Sequence, residues 1–326
     1  MSSPLVSVLL PVYNGERYLQ AAIQSILNQS FTDFELIVIN DGSSDGTATI
    51  VDSIQDARVK VLHQANVGLP ITLNRAIRLA RGTYLARQDS DDLSLPTRLI
   101  KQVHFLEQHP QCGLLGTWAD ILLEDAPTNR ALCHPTSNGQ IQIQLLFSNC
   151  FVHSSVMIRK SILAVSGLYP EEPEKFPPED YDLWLRIAKH ASVANLGEAL
   201  LLYREMPTSI SRTKLAIMQK RAEGMSLEAL QTLLPNETPT APTERLIKAM
   251  TNSISPFSYS DYQFGLRLLQ SIYHIKLQQF PDDGVDLAAC VLSNQGRLKD
   301  AFLKAWVRRF APLLPFDLVA LLKRFR

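Results

Sequence analysis

Thr83-Tyr84-Leu85-Ala86-Arg87-Gln88-Asp89-Ser90-Asp91-Asp92 runs from a short apolar stretch straight into a cluster of carboxylates. Like charges crowded against buried chain are costly unless a cation compensates them. Oxygen ligands spaced as Asp-x-Asp suit a hard divalent ion such as Mg²⁺ or Mn²⁺, which keeps several waters and shares itself with substrate phosphates. The stretch therefore reads as a strand whose carboxyl end delivers a metal-assisted phosphate site. The competing reading is a solvated acidic turn capping a helix that starts near Pro96. The acidic run alone does not separate the two.

Upstream, Leu5–Val12 and Phe34–Asn40 are apolar runs rich in β-branched residues, as buried strands are, and Val59–Leu62 is a shorter one. Between these runs, Leu19, Ala22, Ile23, Ile26 and Leu27 fall at helical spacing, as do Ile50, Val51 and Ile54, then Leu73, Ala76, Ile77 and Ala80. Asn14 is placed to cap the first of these helices, and Asn66-Val67-Gly68 opens the third. Strands and helices alternating at this length imply a mostly parallel α/β sheet with right-handed crossovers. In such sheets ligands sit beyond the carboxyl ends of the strands. Those ends carry Asn14, Asp41, Gln64-Ala65-Asn66 and Asp89–Asp92, so polar residues gather at one edge.

Farther on, Leu99, Val103 and Leu106 mark a helix, and Leu114–Leu123 reads as a strand broken near Trp118. Ser154–Ile158 is a short strand and Leu200–Arg204 a final one. Pro170–Pro178 holds three glutamates and four prolines, too many to pack as regular structure. It leads into Glu179–Ala188, a helix with acids in its first turn. From about Thr213 the pattern is helical, interrupted by the polar linker Pro235–Thr243. The expected organisation is a domain over residues 1–212 and a helical extension over residues 213–326.

The chain has 326 residues, with 32 Lys and Arg against 32 Asp and Glu. A formal net charge of zero argues against a nucleic-acid binder that works by bulk electrostatics. Cys112, Cys133, Cys150 and Cys290 form no CxxC pair, which fits a reducing compartment and supplies no zinc framework. The start Met1-Ser2-Ser3-Pro4 has no basic segment, and no run reaches the roughly 18 apolar residues of a membrane-spanning helix. A cytoplasmic location is the resulting expectation.

Asp41-Gly42-Ser43-Ser44-Asp45-Gly46-Thr47 follows a buried strand and precedes a helix, as a simple turn with a good cap does. It partly imitates a calcium loop, but the strand before it and Asp52 at the position of the usual glutamate argue against that. Pro11-Val12-Tyr13-Asn14-Gly15 is no dinucleotide fingerprint, and no Gly-Lys-Ser/Thr loop occurs. Phosphate charge would then be met by a metal and by scattered donors such as Arg75 and Arg87. Asp180 is the candidate general base, against the reading of a first-turn acid worth about 0.3–1 kcal/mol to the helix dipole. His153 precedes a strand and is either a ligand contact or a structural histidine. Lys299–Arg326 mixes Phe302, Trp306, Phe310, Leu313 and Leu314 with seven basic residues, a composition shared by interfacial amphipathic helices and docked terminal helices. Pro312 and Pro315 are expected to divide it in two.

Four segments taken in order carry a likeness: Val6–Glu16, Asn40–Thr47, Asp89-Ser90-Asp91-Asp92 and Glu179-Asp180. Together they resemble the family 2 glycosyltransferases over about residues 5–212. The resemblance implies the GT-A fold, a Rossmann-like mixed sheet flanked by helices, here with a C-terminal helical extension. It implies an inverting transferase that uses a nucleotide-diphosphate sugar, most often a UDP-sugar, with Mn²⁺ or Mg²⁺. Pro11, Val12, Tyr13, Glu16 and Asp41 match nucleoside-holding positions, with Asp41 on the base. Asn66, Gly68 and Arg75 match a segment near the nucleotide. Asp89 matches the position towards the ribose and Asp91 the cation ligand, with Asp92 open to either role. Asp180 matches the catalytic base, and Glu179 contacts acceptor or donor beside it.

One departure stands out. The family often has Tyr-Arg-x-His after the last strand, and this chain reads Tyr203-Arg204-Glu205-Met206. Arg204 over the diphosphate, or His153, would then take the histidine's place. Two rival functions stay open, a sugar-nucleotide binding protein without catalysis and a sugar nucleotidyltransferase. The implied partners are a nucleotide sugar and a glycan or lipid-linked acceptor, in cell-surface polysaccharide or glycolipid synthesis. Peripheral contact of residues 299–326 with the cytoplasmic face of a membrane would suit such acceptors.

Overall fold

A computed structural model describes residues 3–206, 209–251 and 257–310. The chain divides into two compact units, Met1–Ile141 with Asn149–Arg221 and Gln142–Ser148 with Ala222–Arg326. The longer unit ends at Arg221. Arg221 itself is tied into the first unit, since its guanidinium donates to the Phe176 carbonyl.

In the first unit, β1 (Val6–Val12), β2 (Phe34–Asp41), β3 (Val59–Gln64) and β4 (Tyr84–Arg87) form a parallel set. Val6 of β1 lies opposite both Phe34 and Tyr84. Every residue of β1, β2 and β4 is buried, which explains why these segments are continuous apolar runs rather than alternating ones. Leu19, Ile23 and Ile26 from one helix and Leu99, Val103 and Leu106 from another share a core with Val8, Leu10, Leu36 and Val38. The helix Leu69–Leu79 packs on β1 and β2.

The sheet continues through β5 (Leu93–Ser94), β6 (Cys112–Leu123), β7 (Ala126–Leu132), β8 (Met157–Arg159) and β9 (Ser192–Glu205). Its order is β3-β2-β1-β4-β8-β6-β9-β5, with β7 beside β6. β8 runs antiparallel to β4 and β6, whereas β6 and β9 are parallel over most of their length. The result is the expected mixed, mostly parallel α/β sheet flanked by helices, followed by a helical C-terminal region.

Three local expectations change. The strand expected to break near Trp118 is one unbroken element, because the irregularity is a register shift against β9 on either side of Trp118. β9 starts at Ser192, well before Leu200, and Gly197-Glu198 is skipped between the pairs Thr117↔Leu196 and Trp118↔Ala199. That bulge hides the strand's first half from a pattern reading. His153–Ser155 is a 3₁₀ turn and only Met157–Arg159 is strand. There Ser155 Oγ accepts from Thr117 N at 3.1 Å and donates to Val152 O at 2.9 Å, a side-chain substitute for the ladder.

The second unit contains the helices Thr240–Met250, Tyr259–Gln279 and Gly284–Phe310. Ser258 and Asp261 form a capping box on the middle one. Leu246, Ile247, Leu268, Leu269, Ile272, Leu287 and Leu298 are buried there. Phe302 stacks on Tyr262 with ring centroids 5.6 Å apart, as a docked terminal helix would place it. Residues 311–326, with Pro312 and Pro315, lie outside the described residues. Among the described residues no helix is long and apolar enough to cross a membrane.

The acidic segment after β4 is held from behind by a buried polar cluster. Arg98, at the start of the helix Arg98–Gln108, is fully buried, and burial lowers its pKa to about 9. Its Nη1 donates to Gln88 Oε1 at 3.1 Å and Ser94 Oγ at 2.7 Å, and its Nη2 to Arg87 O at 2.7 Å. Gln88 Nε2 in turn donates to the carbonyls of Asp89 at 3.0 Å and Asp92 at 2.8 Å. Arg98→Leu would strip the donors from these buried acceptors, each worth about 1–3 kcal/mol when left unsatisfied. We expect urea unfolding to show a loss of about 3 kcal/mol or more, with Arg98→Lys intermediate. A loss under about 0.5 kcal/mol would mean that the cluster holds nothing.

Candidate active site

The carboxyl ends of β1, β2 and β4 open into a cavity of about 750 Å³. Pro11, Val12, Tyr13 and Asp41 line it, together with Asp89, Asp91, His153, Glu179, Asp180, Arg204 and Met206. Loops separated by many tens of residues thus converge as parallel-sheet geometry requires.

Two of those loops are laced together. Asn14 does not cap the helix Leu19–Leu27, which has no side-chain cap. It takes a left-handed conformation (φ 52°), and its Oδ1 accepts from Ser44 N at 2.8 Å. Gly15 N donates to Thr47 Oγ1 at 2.9 Å, and Glu16 Oε2 accepts from Gly46 N at 2.6 Å. The Asp41–Thr47 segment is therefore a clasp for the β1 loop. Gly42 is required in it, since its φ is +74° and a Cβ would stand 2.5 Å from Asn66 N.

Asp41 is buried and its carboxylate organises the next loop. Oδ1 accepts from Gln64 Nε2 at 2.6 Å and Val67 N at 3.0 Å, and Oδ2 from Gly68 N at 2.9 Å. Arg75 Nη1 donates to Gln64 Oε1 at 2.6 Å, one step behind Asp41. Leu69 and Thr72 reach the cavity from this region, whereas Glu16, Asn66, Gly68 and Arg75 are not among its lining residues. Glu16 and Arg75 are engaged instead in holding the loops.

The carboxylates of Asp89, Asp91 and Asp92 each offer an oxygen within 4.8 Å of the others, a set of hard donors suited to a divalent cation. Asp89 and Asp91 line the cavity. Asp92 is buried behind them, where Oδ1 accepts from Arg204 N at 2.8 Å and Oδ2 has no partner among the described residues. Burial and the Asp89 charge push Asp91 up to about 6 and Asp92 well above the usual carboxylate range. Such a cluster calls for positive charge, and the orphaned Asp92 oxygen fits that demand.

Across the cavity, Glu179 and Asp180 begin the helix Glu179–Ile187. Asp180 Oδ1 accepts from Tyr181 N at 2.8 Å, so it does serve the helix start, and Oδ2 accepts from Asn149 Nδ2 at 2.8 Å. Burial raises the Asp180 pKa despite that amide. Burial and the Asp180 charge push Glu179 up to about 8. His153 Nε2 shares a hydrogen bond with Tyr169 Oη at 2.9 Å, and its Nδ1 lies 3.7 Å from Glu179 Oε1. Burial, with Arg87 nearby, holds the imidazole well below its ordinary pKa, so it is neutral near pH 7.

Arg204 also departs from expectation. Its Nε donates to Asp91 O at 2.8 Å, and its Nη1 pairs with Asp125 Oδ1 at 2.6 Å and reaches the Glu124 carbonyl. The guanidinium stacks 4.0 Å over the Tyr18 ring. It braces the acidic loop while lining the cavity. Asn149, Tyr169 and Ser154, whose Oγ accepts from Asp89 N at 2.9 Å, were not singled out in the sequence. A lone polar residue in a loop carries no periodic or spacing signal.

Comparison with known proteins gives a consistent picture. The model for glycosyl transferase family 2 matches residues 7–165. The O-antigen biosynthesis glycosyltransferase WbnJ of Escherichia coli is 34% identical over 220 residues, 65% of this chain and 84% of that protein. S. aureus TarS, solved as residues 1–349 with UDP-GlcNAc, superposes with a TM-score of 0.59 at 16% identity, covering 94% of this chain and 92% of that one. The mannosyltransferase PcManGT of Pyrobaculum calidifontis, solved with GDP-Man and Mn²⁺, gives 0.52 at 15% identity, covering 94% and 88%.

The Glu179 environment makes a stability prediction. A carboxylate whose pKa rises from an ordinary 4.5 to about 8 on folding stabilises the folded state fully below 4.5 and loses that contribution as pH rises through 8. The unliganded protein should therefore melt progressively below Glu179→Gln as pH goes from about 5 to about 8. Parallel Tm curves for the two proteins would mean that Glu179 is ionised in the folded state.

Proposed function

The chain belongs to glycosyl transferase family 2, and on that premise we propose an inverting, metal-assisted transfer of a sugar from a nucleotide-diphosphate sugar, a UDP-sugar by preference, to an acceptor hydroxyl. The observation that carries this reading is the meeting of Asp41, the Asp89–Asp91 carboxylates and the Glu179–Asp180 pair in one cavity. Asp89 and Asp91, with Asp92 behind, would hold Mn²⁺ or Mg²⁺, and PcManGT solved with GDP-Man and Mn²⁺ supports that assignment. When bound, the ion neutralises charge building on the departing diphosphate. Pro11, Val12, Tyr13 and Asp41 would border the nucleoside, and Tyr13, 55% exposed, offers a ring face for it.

Asp180 would take the acceptor proton as the hydroxyl attacks the anomeric carbon from the face opposite the leaving group. A single displacement inverts the configuration and needs no enzyme nucleophile. Asn149 fixes the Asp180 carboxylate, and the raised pKa brings the base nearer to neutral pH, where general bases work best. Release of UDP or GDP from a panel of nucleotide sugars tests the reading. We expect acceptor-dependent release with Mn²⁺ that is abolished by EDTA. Asp180→Asn should lower the rate by roughly a hundredfold or more, with nucleotide affinity little changed. Release that persists in chelator would remove the metal, and lost nucleotide binding in Asp180→Asn would make that residue structural.

WbnJ acts in O-antigen biosynthesis, and a comparable acceptor, a glycan or a lipid-linked one at the cytoplasmic face of a membrane, is the proposed partner here. The basic and aromatic composition of residues 299–326 would favour anionic lipid by about 1 kcal/mol per Lys or Arg at the surface. Flotation with anionic vesicles should be strong for the intact protein and reduced for a form ending at Ala305. Equal flotation of both forms would remove the tail from any membrane role.

A further inference from the structure

Arg87 is a buried cation with an unpartnered donor. It ends β4, its side chain is 2% exposed, and it lines the cavity beside Asp89 and Asp91. The backbone on either side of the side chain is fixed, since Arg87 N donates to Val156 O at 2.9 Å and Arg87 O accepts from Arg98 at 2.7 Å. Nη1 pairs with Asp89 Oδ1 at 2.5 Å, whereas Nε has no hydrogen-bond partner among the described residues. A guanidinium removed from water with an N–H unmatched is costly, and the cost is recovered when an anion with acceptor oxygens arrives.

Two other basic side chains that line the cavity are engaged with the protein. Arg204 is spent on Asp91 O, Asp125 and the Tyr18 ring, and His153 on Tyr169. Met206 lines the cavity and offers no donor. Resting on the donor reading given above, we infer that Arg87 binds the diphosphate of the nucleotide sugar and takes up its charge. Its planar fork matches two phosphate oxygens as a point charge does not. As the acceptor oxygen bonds to the anomeric carbon, the bond from that carbon to the phosphate oxygen breaks. Its electron pair stays on the diphosphate, and the acceptor proton passes to Asp180. Arg87 faces the oxygens on which that charge grows.

The alternative is that Arg87 only screens the carboxylates, and the two roles predict opposite results. Calorimetry of the full chain would measure UDP, GDP, uridine and guanosine binding, each with EDTA and with Mn²⁺, and Mn²⁺ binding alone. For Arg87→Gln we expect diphosphate affinity to fall about tenfold or more in both EDTA and Mn²⁺, nucleoside affinity to hold, and kcat to fall about a hundredfold. Arg87→Lys should recover part of the affinity, and it carries the test if the glutamine variant fails to fold. Unchanged UDP and GDP affinity with tighter Mn²⁺ binding would overturn the inference and leave Arg87 a screening charge. If the wild type binds neither UDP nor GDP, the donor reading itself falls and this inference with it.

Discussion

The acidic site depends on a guanidinium that never touches it. Arg98 is fully buried and satisfied largely by neutral acceptors, the Gln88 amide, the Ser94 hydroxyl and the carbonyls of Arg87 and Val156. Gln102, one turn along the same helix, accepts from Arg98 and donates to the carbonyls of Leu115 and Ser155. One helix N-terminus thereby fixes the exit of β4, the start of β5 and the segments that flank β8. Buried polar clusters of this kind are stable only when every member is satisfied, so they permit one arrangement of the chain around them. That rigidity is what lets Asp89, Asp91 and Asp92 stand so close together.

Crowding those carboxylates sets the electrostatic character of the cavity. Burial and mutual repulsion raise Asp91 and Asp92, and the same two effects raise Glu179 against Asp180 on the other side. A cavity built this way favours protons or cations, and Arg87 and Arg204 are two of the basic side chains that line it. They differ in kind. Arg204 is bonded to Asp91 O and Asp125 and acts as masonry, whereas Arg87 lines the cavity with its Nε unpartnered among the described residues. Charge that the protein cannot balance by itself is charge that a ligand must balance, which ties the folding energetics to binding.

The Asp41 side of the cavity shows a different economy. Asp41 spends both oxygens on loop donors, so the loop Gln64–Gly68 takes its shape from that carboxylate. Glu16, Asn14 and Thr47 lace the adjacent loops across roughly thirty residues of sequence. Their contacts are with other loops, and Asn14 also lines the cavity.

Much of this was readable before any coordinates. The buried apolar runs at Leu5–Val12, Phe34–Asn40 and Thr83–Ala86 require strands covered on both faces, and their polar ends identify the functional edge. Period and burial are local properties, so sequence carries them. Partnership is not local. That Arg98 would bond Gln88, that Arg204 would turn away to Asp125, that Asn149 would meet Asp180 and that Phe302 would stack on Tyr262 all depend on which distant segments the sheet and helices bring together. A side chain's type states how many hydrogen bonds it can make, and only the tertiary structure decides which of them are already taken.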